Sequence, residues 1–319
     1  MAKNIFKNPN FAFWLFTISV AIGLTLPWLV QEGMFMDGLL YSCVSRNLGH
    51  GIGSFWFPQF SELNVGGLPS FHEQPPLVFG IQAIFFYFFG NSIYIERGYT
   101  FLMLLLSIYF IYLIWKEINS STKDQIPYGW LAILLWISTS LAFWSFRHNM
   151  QENTMGIFTL LSVLFIFKGF NKPNNQILFF SVSGVFITLS LLSKGFPGLF
   201  PISVPFLYWI THRKPGFAKM FSQSAILLMI PVLIITLLLL FPDSRQSLSY
   251  YFFDRILQRI DYMPTIENRF YIINRLLMEL IASVIIVFLF AISLYLINVK
   301  LITKSNSSLA LLFILIGFS

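Results

Sequence analysis

Charge is what this 319-residue chain has least of: only 10% of its residues are Asp, Glu, Lys or Arg, against roughly 25% in soluble domains. With 56% hydrophobic residues, 38 of them Phe, and a mean hydropathy of +0.74, that scarcity excludes a water-surrounded globule and points to a polytopic membrane protein. The single cysteine, Cys43, excludes an internal disulfide framework. Four histidines (His50, His72, His148 and His212) are too few and too scattered for a dedicated multi-histidine metal centre. The sequence contains no H-E-x-x-H, no Walker-type loop and no G-x-S-x-G, so zinc hydrolase, P-loop and α/β-hydrolase chemistry are not indicated. Alternation is also missing: runs such as "LIITLLLLF" argue against a β-barrel. In lipid, the spans must then be helices that satisfy their own backbone.

Long apolar runs are what the chain has instead. The first, 11–30, follows Lys3 and Lys7, is long enough to span and lacks a clean small-residue cleavage site, so it reads as an uncleaved first helix. Further runs lie at 98–115, 128–146, 153–167, 177–193, 196–210, 221–241 and 277–297, with a last one from 307, giving about nine crossings. The run 75–90 is different. Its sixteen residues rise only about 24 Å as a helix, short of roughly 30 Å of hydrocarbon. Treating 75–90 as interfacial or re-entrant leaves the N-terminus, 116–127, 168–176, 211–220 and 298–306 as cytoplasmic segments. Ten of the eleven lysines then fall inside, as the bias of short cytoplasmic loops requires. The expected organisation is one transmembrane domain over 1–319, with long outer loops at 31–97 and 242–276. The chain stops within an apolar run, "LALLFILIGFS", which suggests a truncated chain.

That topology sorts the remaining charge. Eleven of the 13 acids fall on the outer side, together with Arg46, Arg97, Arg147, Arg245, Arg255, Arg259, Arg269, Arg275 and one lysine, Lys194. Eight arginines on the side that basic residues normally avoid suggest a phosphate ligand. Each motif also has a plain reading. Asp37 in "GMFMDGLLYS" could simply favour a helix start. Glu73 in "FHEQPPL" could do the same beside helix-opening prolines. Arg147 and Glu152 in "SFRHNMQENT" could be an interfacial anchor and a helix-start acid. The aromatics of "YYFFDRILQRI" could form a belt, and Lys194 could snorkel. Taken together, a carboxylate able to accept a proton beside cations able to hold an anionic leaving group suits group transfer from a lipid phosphate.

These motifs, in order over roughly 10–300, resemble those of membrane glycosyltransferases with a GT-C fold. The resemblance is to the branch of protein O-mannosyltransferases and lipid A aminoarabinose transferases. It rests on Asp37, Tyr41 and Arg46 in the first outer loop, "HEQPP" (72–76), Arg147 to Glu152, "SKGFPGLFP" (193–201) and "YYFFDRILQR" (250–259). It implies an all-α protein of GT-C type with interfacial helices in the first outer loop. It implies inverting transfer of a sugar from a polyprenyl-phosphate donor to a lipid, glycan or protein acceptor at the outer face of the cell membrane. The partners would then be donor, acceptor and membrane lipids, without nucleic acid. Asp37 would be the general base, and Lys194, Arg147, Arg255 and Arg259 would hold the donor phosphate. Tyr41, Arg46, Glu73, Gln74 and Glu152 would support them. Three departures stand out: Gln74 replaces a lysine, Glu152 replaces an Asp, and the aminoarabinose transferases' ligand histidine falls near Ile256 and Leu257. Glu73 with His72 is the one candidate pair for a divalent ion. A transporter or flippase of an anionic lipid is the competing reading, although no inverted repeat is evident.

Overall fold

The computed structural model describes residues 10–61, 70–121, 128–213, 215–257 and 270–296. Among these there is no β-strand, only an isolated bridge between Gly53 and Pro58. The helices are α1 (Phe11–Val30), α2 (Met36–Gly49), α3 (Leu77–Phe89), α4 (Tyr94–Ile118), α5 (Gly129–Ile137), α6 (Ser140–Arg147), α7 (Gln151–Asn171), α8 (Gln176–Lys194), α9 (Val204–His212), α10 (Phe217–Leu238), α11 (Pro242–Ser249) and α12 (Tyr271–Leu296). Among the described residues, five helices are long and apolar enough to cross a membrane, namely α1, α4, α7, α8 and α10. A bent pair, α5 and α6, makes a sixth if it counts as one span.

Two expected spans are not single helices, and local chemistry explains why. The run 128–146 bends by 73° between α5 and α6. There the Ser138 hydroxyl donates to the Leu135 carbonyl at 2.8 Å, and Thr139 turns extended (ψ 126°) to start α6. Serine and threonine side chains compete with the helical backbone in this way. The run 196–210 is a 3-10 stretch, Phe196–Ser203, followed by the nine-residue α9. Pro197 and Pro201 lack the amide hydrogen that an α-helical ladder requires. α3 has 13 residues and stays below spanning length. The final apolar run, from 307, lies outside the described residues.

Packing follows the apolar faces. The α7–α8 contact is the most extensive among the described helices. Its core of Val163, Leu164, Ile166, Phe167, Phe180 and Ile187 extends to Leu227 of α10. Several buried polar side chains pair with one another across these helices. Ser162 bonds Ser183 at 2.7 Å, Thr159 bonds Ser190 at 3.0 Å, and the Tyr99 hydroxyl bonds Thr154 at 2.6 Å. A second core joins α1, α4 and α5–α7 through Ala21, Tyr99, Leu104, Ile137, Phe146 and Ile157. Much of the apolar surface faces outward, including Phe16 and Trp28 on α1 and Met229 and Leu233 on α10, as lipid-facing helices require.

One end of the bundle gathers the C-termini of α1, α6, α8 and α10 with the N-termini of α4 and α7. Arg97 fixes this end by donating to the backbone carbonyls of Leu29, at 2.9 Å, and Gln31. α2, α3 and α11 lie over it. The opposite end is tied by Asn171 of α7, whose amide donates to the Glu117 carbonyl and carboxylate, each at 2.9 Å.

Candidate active site

The site begins with how α2 is held. The Phe35 amide donates to Nδ1 of His148 at 3.0 Å. Burial and the neighbouring Arg147 lower the His148 pKa, which favours the neutral ring needed to accept that bond. Gly38 lies so close to the His148 carbonyl that a Cβ there would overlap it. Asn149, at a left-handed φ of 50°, donates to the Ser42 hydroxyl at 2.9 Å and accepts from the Gln82 amide at 3.0 Å. The α6–α7 corner therefore clamps α2 and α3 together. Asp37, in the first turn of α2, is placed where the helix dipole favours an acid.

Tyr41, one turn along the same face of α2, is the centre of the site. Burial, reinforced by Asp37, pushes its pKa up to about 12; the hydrogen bond with Gln74 works the other way, and Glu152 and Glu73 push it further up. Four residues from three separate segments thus converge on one buried phenol.

Two ion pairs complete the cluster. Lys194, at the end of α8, pairs with Glu152 in the first turn of α7. Arg255 donates to Glu73 at 2.6 Å. Gly195, at φ +87°, ends α8 and is covered by Tyr251, whose hydroxyl donates to the Lys194 carbonyl at 3.3 Å. Tyr251 and Arg255 both lie on a π-helical turn, Tyr250–Leu257. Such wide turns recur at functional sites because they reorient side chains. The three carboxylates around Tyr41 are thus not equivalent: Glu73 and Glu152 each hold a cation, whereas Asp37 is in neither pair.

Other residues singled out in the sequence go elsewhere. Arg147 does not join either ion pair. Its Nε donates to the Leu24 carbonyl at 2.6 Å, and its guanidinium lies over Trp28 and Phe143 at 4.9 and 4.6 Å. A cation at a helix end that meets a backbone carbonyl and two aromatic faces becomes a seam between helices. Arg46 is nine residues beyond Asp37, which puts it about 13 Å along α2 and on the opposite face; it meets Cys43 Sγ at 3.8 Å instead. Arg259 lies outside the described residues.

Glu73 and His72 do not fit a metal site. Both His72 ring nitrogens are engaged, with Ser70 at 2.7 Å and Ser247 at 3.3 Å, and its ring meets Phe57 edge-on and Tyr250 at a tilt. Burial lowers the His72 pKa, with Asp254 opposing, while Glu73 is committed to Arg255. Among the described residues, no three His, Cys, Asp or Glu side chains gather as ligands.

Sequence reading passed over Asn149, Gln151 and Tyr251. The first two sit inside "SFRHNMQENT", where only the charged ends drew attention. Gln151 is wholly buried, and neither atom of its carboxamide has a partner among the described residues.

The comparisons agree on the frame. The model of the dolichyl-phosphate-mannose-protein mannosyltransferase family matches residues 73–246, which contain the Glu73, Gln74, Glu152 and Lys194 positions. No curated protein matches the chain in sequence. In fold it is similar to ArnT from Cupriavidus metallidurans bound to undecaprenyl phosphate. That match has a TM-score of 0.60 at 15% identity and covers 97% of this chain and 56% of that one. It is also similar to the oligosaccharyltransferase AglB from Archaeoglobus fulgidus in complex with an inhibitory peptide and a dolichol-phosphate. There the TM-score is 0.52 at 14% identity, covering 97% of this chain and 39% of that one. The chain thus spans about half the length of the solved structures it matches, and its fold is of the GT-C type.

Proposed function

The chain belongs to the dolichyl-phosphate-mannose-protein mannosyltransferase family, and from that premise we propose that it transfers a sugar from a polyprenyl-phosphate donor to an acceptor hydroxyl. Transfer takes place at the bundle end carrying α2 and α3, which faces away from the cytoplasm. One observation carries this reading: among the described residues, the carboxylates around Tyr41 are divided between two that hold cations and one, Asp37, that does not. A general base needs a carboxylate whose lone pairs are not already committed to a cation. A leaving phosphate needs cations held in place before it arrives. Two similar folds are seen with undecaprenyl phosphate and dolichol-phosphate, which supports a lipid phosphate as the leaving group.

The reaction is a single displacement. The acceptor oxygen forms a bond to the anomeric carbon as the bond from that carbon to the phosphate oxygen breaks, with inversion. Asp37 takes the acceptor's proton. The polyprenyl phosphate departs with the electron pair, its new charge met by Lys194 and Arg255. Tyr41, held protonated by its raised pKa, stands beside Asp37 as a hydrogen-bond donor without competing as a base. Gln74, where the family resemblance expects a lysine, provides a neutral amide, so the cation count here rests on Lys194 and the arginines.

The test is direct. The purified chain, reconstituted in lipid, is incubated with a panel of undecaprenyl-phosphate sugars, and consumption of each is followed by mass spectrometry. At least one sugar should be consumed. Asp37→Asn should lower that rate by about 10²–10⁴, the range for loss of a general base, while still binding undecaprenyl phosphate. Turnover by Asp37→Asn at the wild-type rate would overturn the assignment. Movement of the lipid across the bilayer without consumption of sugar would favour a flippase instead.

A further inference from the structure

Gln151 is the first residue of α7, and it is entirely enclosed. Its Nε2 and Oε1 both lack hydrogen-bond partners among the described residues. So does Oε2 of the neighbouring Glu152, although Oε1 of the same carboxylate holds Lys194. Buried polar groups in folded proteins are nearly always satisfied, so three orphaned atoms on consecutive residues call for an explanation.

Their position supplies one. On α7, Glu152, Met155 and Thr159 face α8 through Lys194 and Ser190. Asn153 and Thr154 face the other way, bonding Thr100 and Tyr99 of α4. At about 100° per residue, Gln151 points between these two directions. α3 touches both α7 and α8, and its Gln82 bonds Asn149, two residues before Gln151. The orphaned atoms therefore run inward from the Lys194–Glu152 pair.

Their chemistry selects the ligand. Phosphate oxygens only accept hydrogen bonds, and Lys194 and Arg255 already offer donors for them. The orphans are two acceptors, Gln151 Oε1 and Glu152 Oε2, beside one donor, Gln151 Nε2. A ligand that both donates and accepts through adjacent groups satisfies all three, and neighbouring sugar hydroxyls do so. We propose that Gln151, with the free oxygen of Glu152, forms the subsite that recognises hydroxyls of the donor's sugar, and that Gln151 is a specificity-determining residue. This rests on the reading of the chain as a lipid-phosphate glycosyltransferase and adds which part of the donor is read, and where.

The decisive variant is Gln151→Met, which keeps the side chain's length and removes its polar atoms. Removing unsatisfied buried groups should leave the melting temperature of the ligand-free protein unchanged or raised. Affinity for bare undecaprenyl phosphate should stay within about twofold. Affinity for the undecaprenyl-phosphate hexose that wild type prefers should fall about tenfold or more, as expected when bonds to a neutral ligand group are lost. Single-deoxy analogues of that hexose should then be bound equally by the variant, although wild type discriminates among them. Gln151→Asn, which keeps the carboxamide but withdraws it by one methylene, should lose the same discrimination and serves if the Met variant folds poorly. The subsite is overturned if either variant discriminates among deoxy donors as wild type does. It is also overturned if Gln151→Met lowers the melting temperature with selectivity intact, since a structural role or a buried water would produce that. Wild type that binds undecaprenyl phosphate but gains nothing from an attached sugar overturns the subsite alone. Wild type that binds neither lipid overturns the glycosyltransferase reading with it.

Discussion

The Lys194–Glu152 pair makes a prediction whose sign separates a phosphate site from a structural salt bridge. The Lys194 side chain is 17% exposed and that of Glu152 39%, so the pair lies at the edge of the site. If a phosphate takes Lys194 as its partner, it must compete with the Glu152 carboxylate. Lys194→Met removes a charged hydrogen bond of roughly 1.5–3 kcal/mol, weakening undecaprenyl phosphate binding by about 10- to 150-fold. Glu152→Gln removes the competitor. An ion pair this exposed is worth about 1 kcal/mol or less after screening, so binding should tighten by about fivefold at most. The combined variant should bind like Lys194→Met, because Glu152 acts on the phosphate through Lys194. The assay is a titration of bare undecaprenyl phosphate into reconstituted protein at two salt concentrations, and the wild-type affinity should fall at the higher salt. A Lys194→Met variant that binds as wild type would refute the reasoning. So would a Glu152→Gln variant that loses as much affinity as Lys194→Met, since the two residues would then be a structural pair.

Three further outcomes follow from the packing and the titration of the site. The Tyr41 pKa is raised from 10.0 to about 12, so the folded protein keeps a proton that the unfolded chain loses above pH 10. Tyr41 should therefore leave stability unchanged below pH 10 and add to its loss between pH 10 and 12, and Tyr41→Phe should remove that added loss in thermal melts. Gly38→Ala would drive a methyl into the His148 carbonyl and should cost about 1–3 kcal/mol or more. Gly98→Ala on α4, with nothing within 4 Å, should be neutral or stabilising by up to about 1 kcal/mol; paired denaturation curves check both. Gly195→Ala combines a left-handed φ of +87° with overlap onto the Tyr251 hydroxyl. It should lower the melting temperature and also weaken undecaprenyl phosphate binding, because the turn that carries Lys194 is displaced.

Much of the frame was legible in the sequence because it depends on composition and periodicity. Apolar runs free of charge can only be helices in lipid, and α1, α4, α7, α8 and α10 lie where those runs predict. The 75–90 run was recognisable as too short by length alone, and α3 is a 13-residue helix. Less legible were the runs that break. Ser138 and Thr139, and Pro197 and Pro201, interrupt hydropathy plots very little, yet they redirect the backbone through hydrogen bonds that hydropathy does not register.

Asp37, Glu73, Glu152 and Lys194 could be picked from the sequence because isolated charges in an apolar chain are conspicuous. The division of labour among them could not, because it depends on which side chains meet. Arg147 and Lys194 look alike as stray cations. Only packing sends Arg147 to the Leu24 carbonyl and Trp28, and Lys194 to Glu152. Arg46 is nearer Asp37 in sequence than Glu152 is, but helical geometry turns it to the opposite face. Neutral residues were the hardest to read. Gln151 and Asn149 carry no charge to betray them, and their significance lies in burial and in bonds made or missing. The sequence by itself determined a helical membrane protein and the set of charges at one end of it, because lipid forbids other backbones and makes each charge costly. Tertiary structure alone decided that, among the described residues, Asp37 stays free of a cation while its neighbours are paired, because pairing is set by distances between segments far apart in the chain.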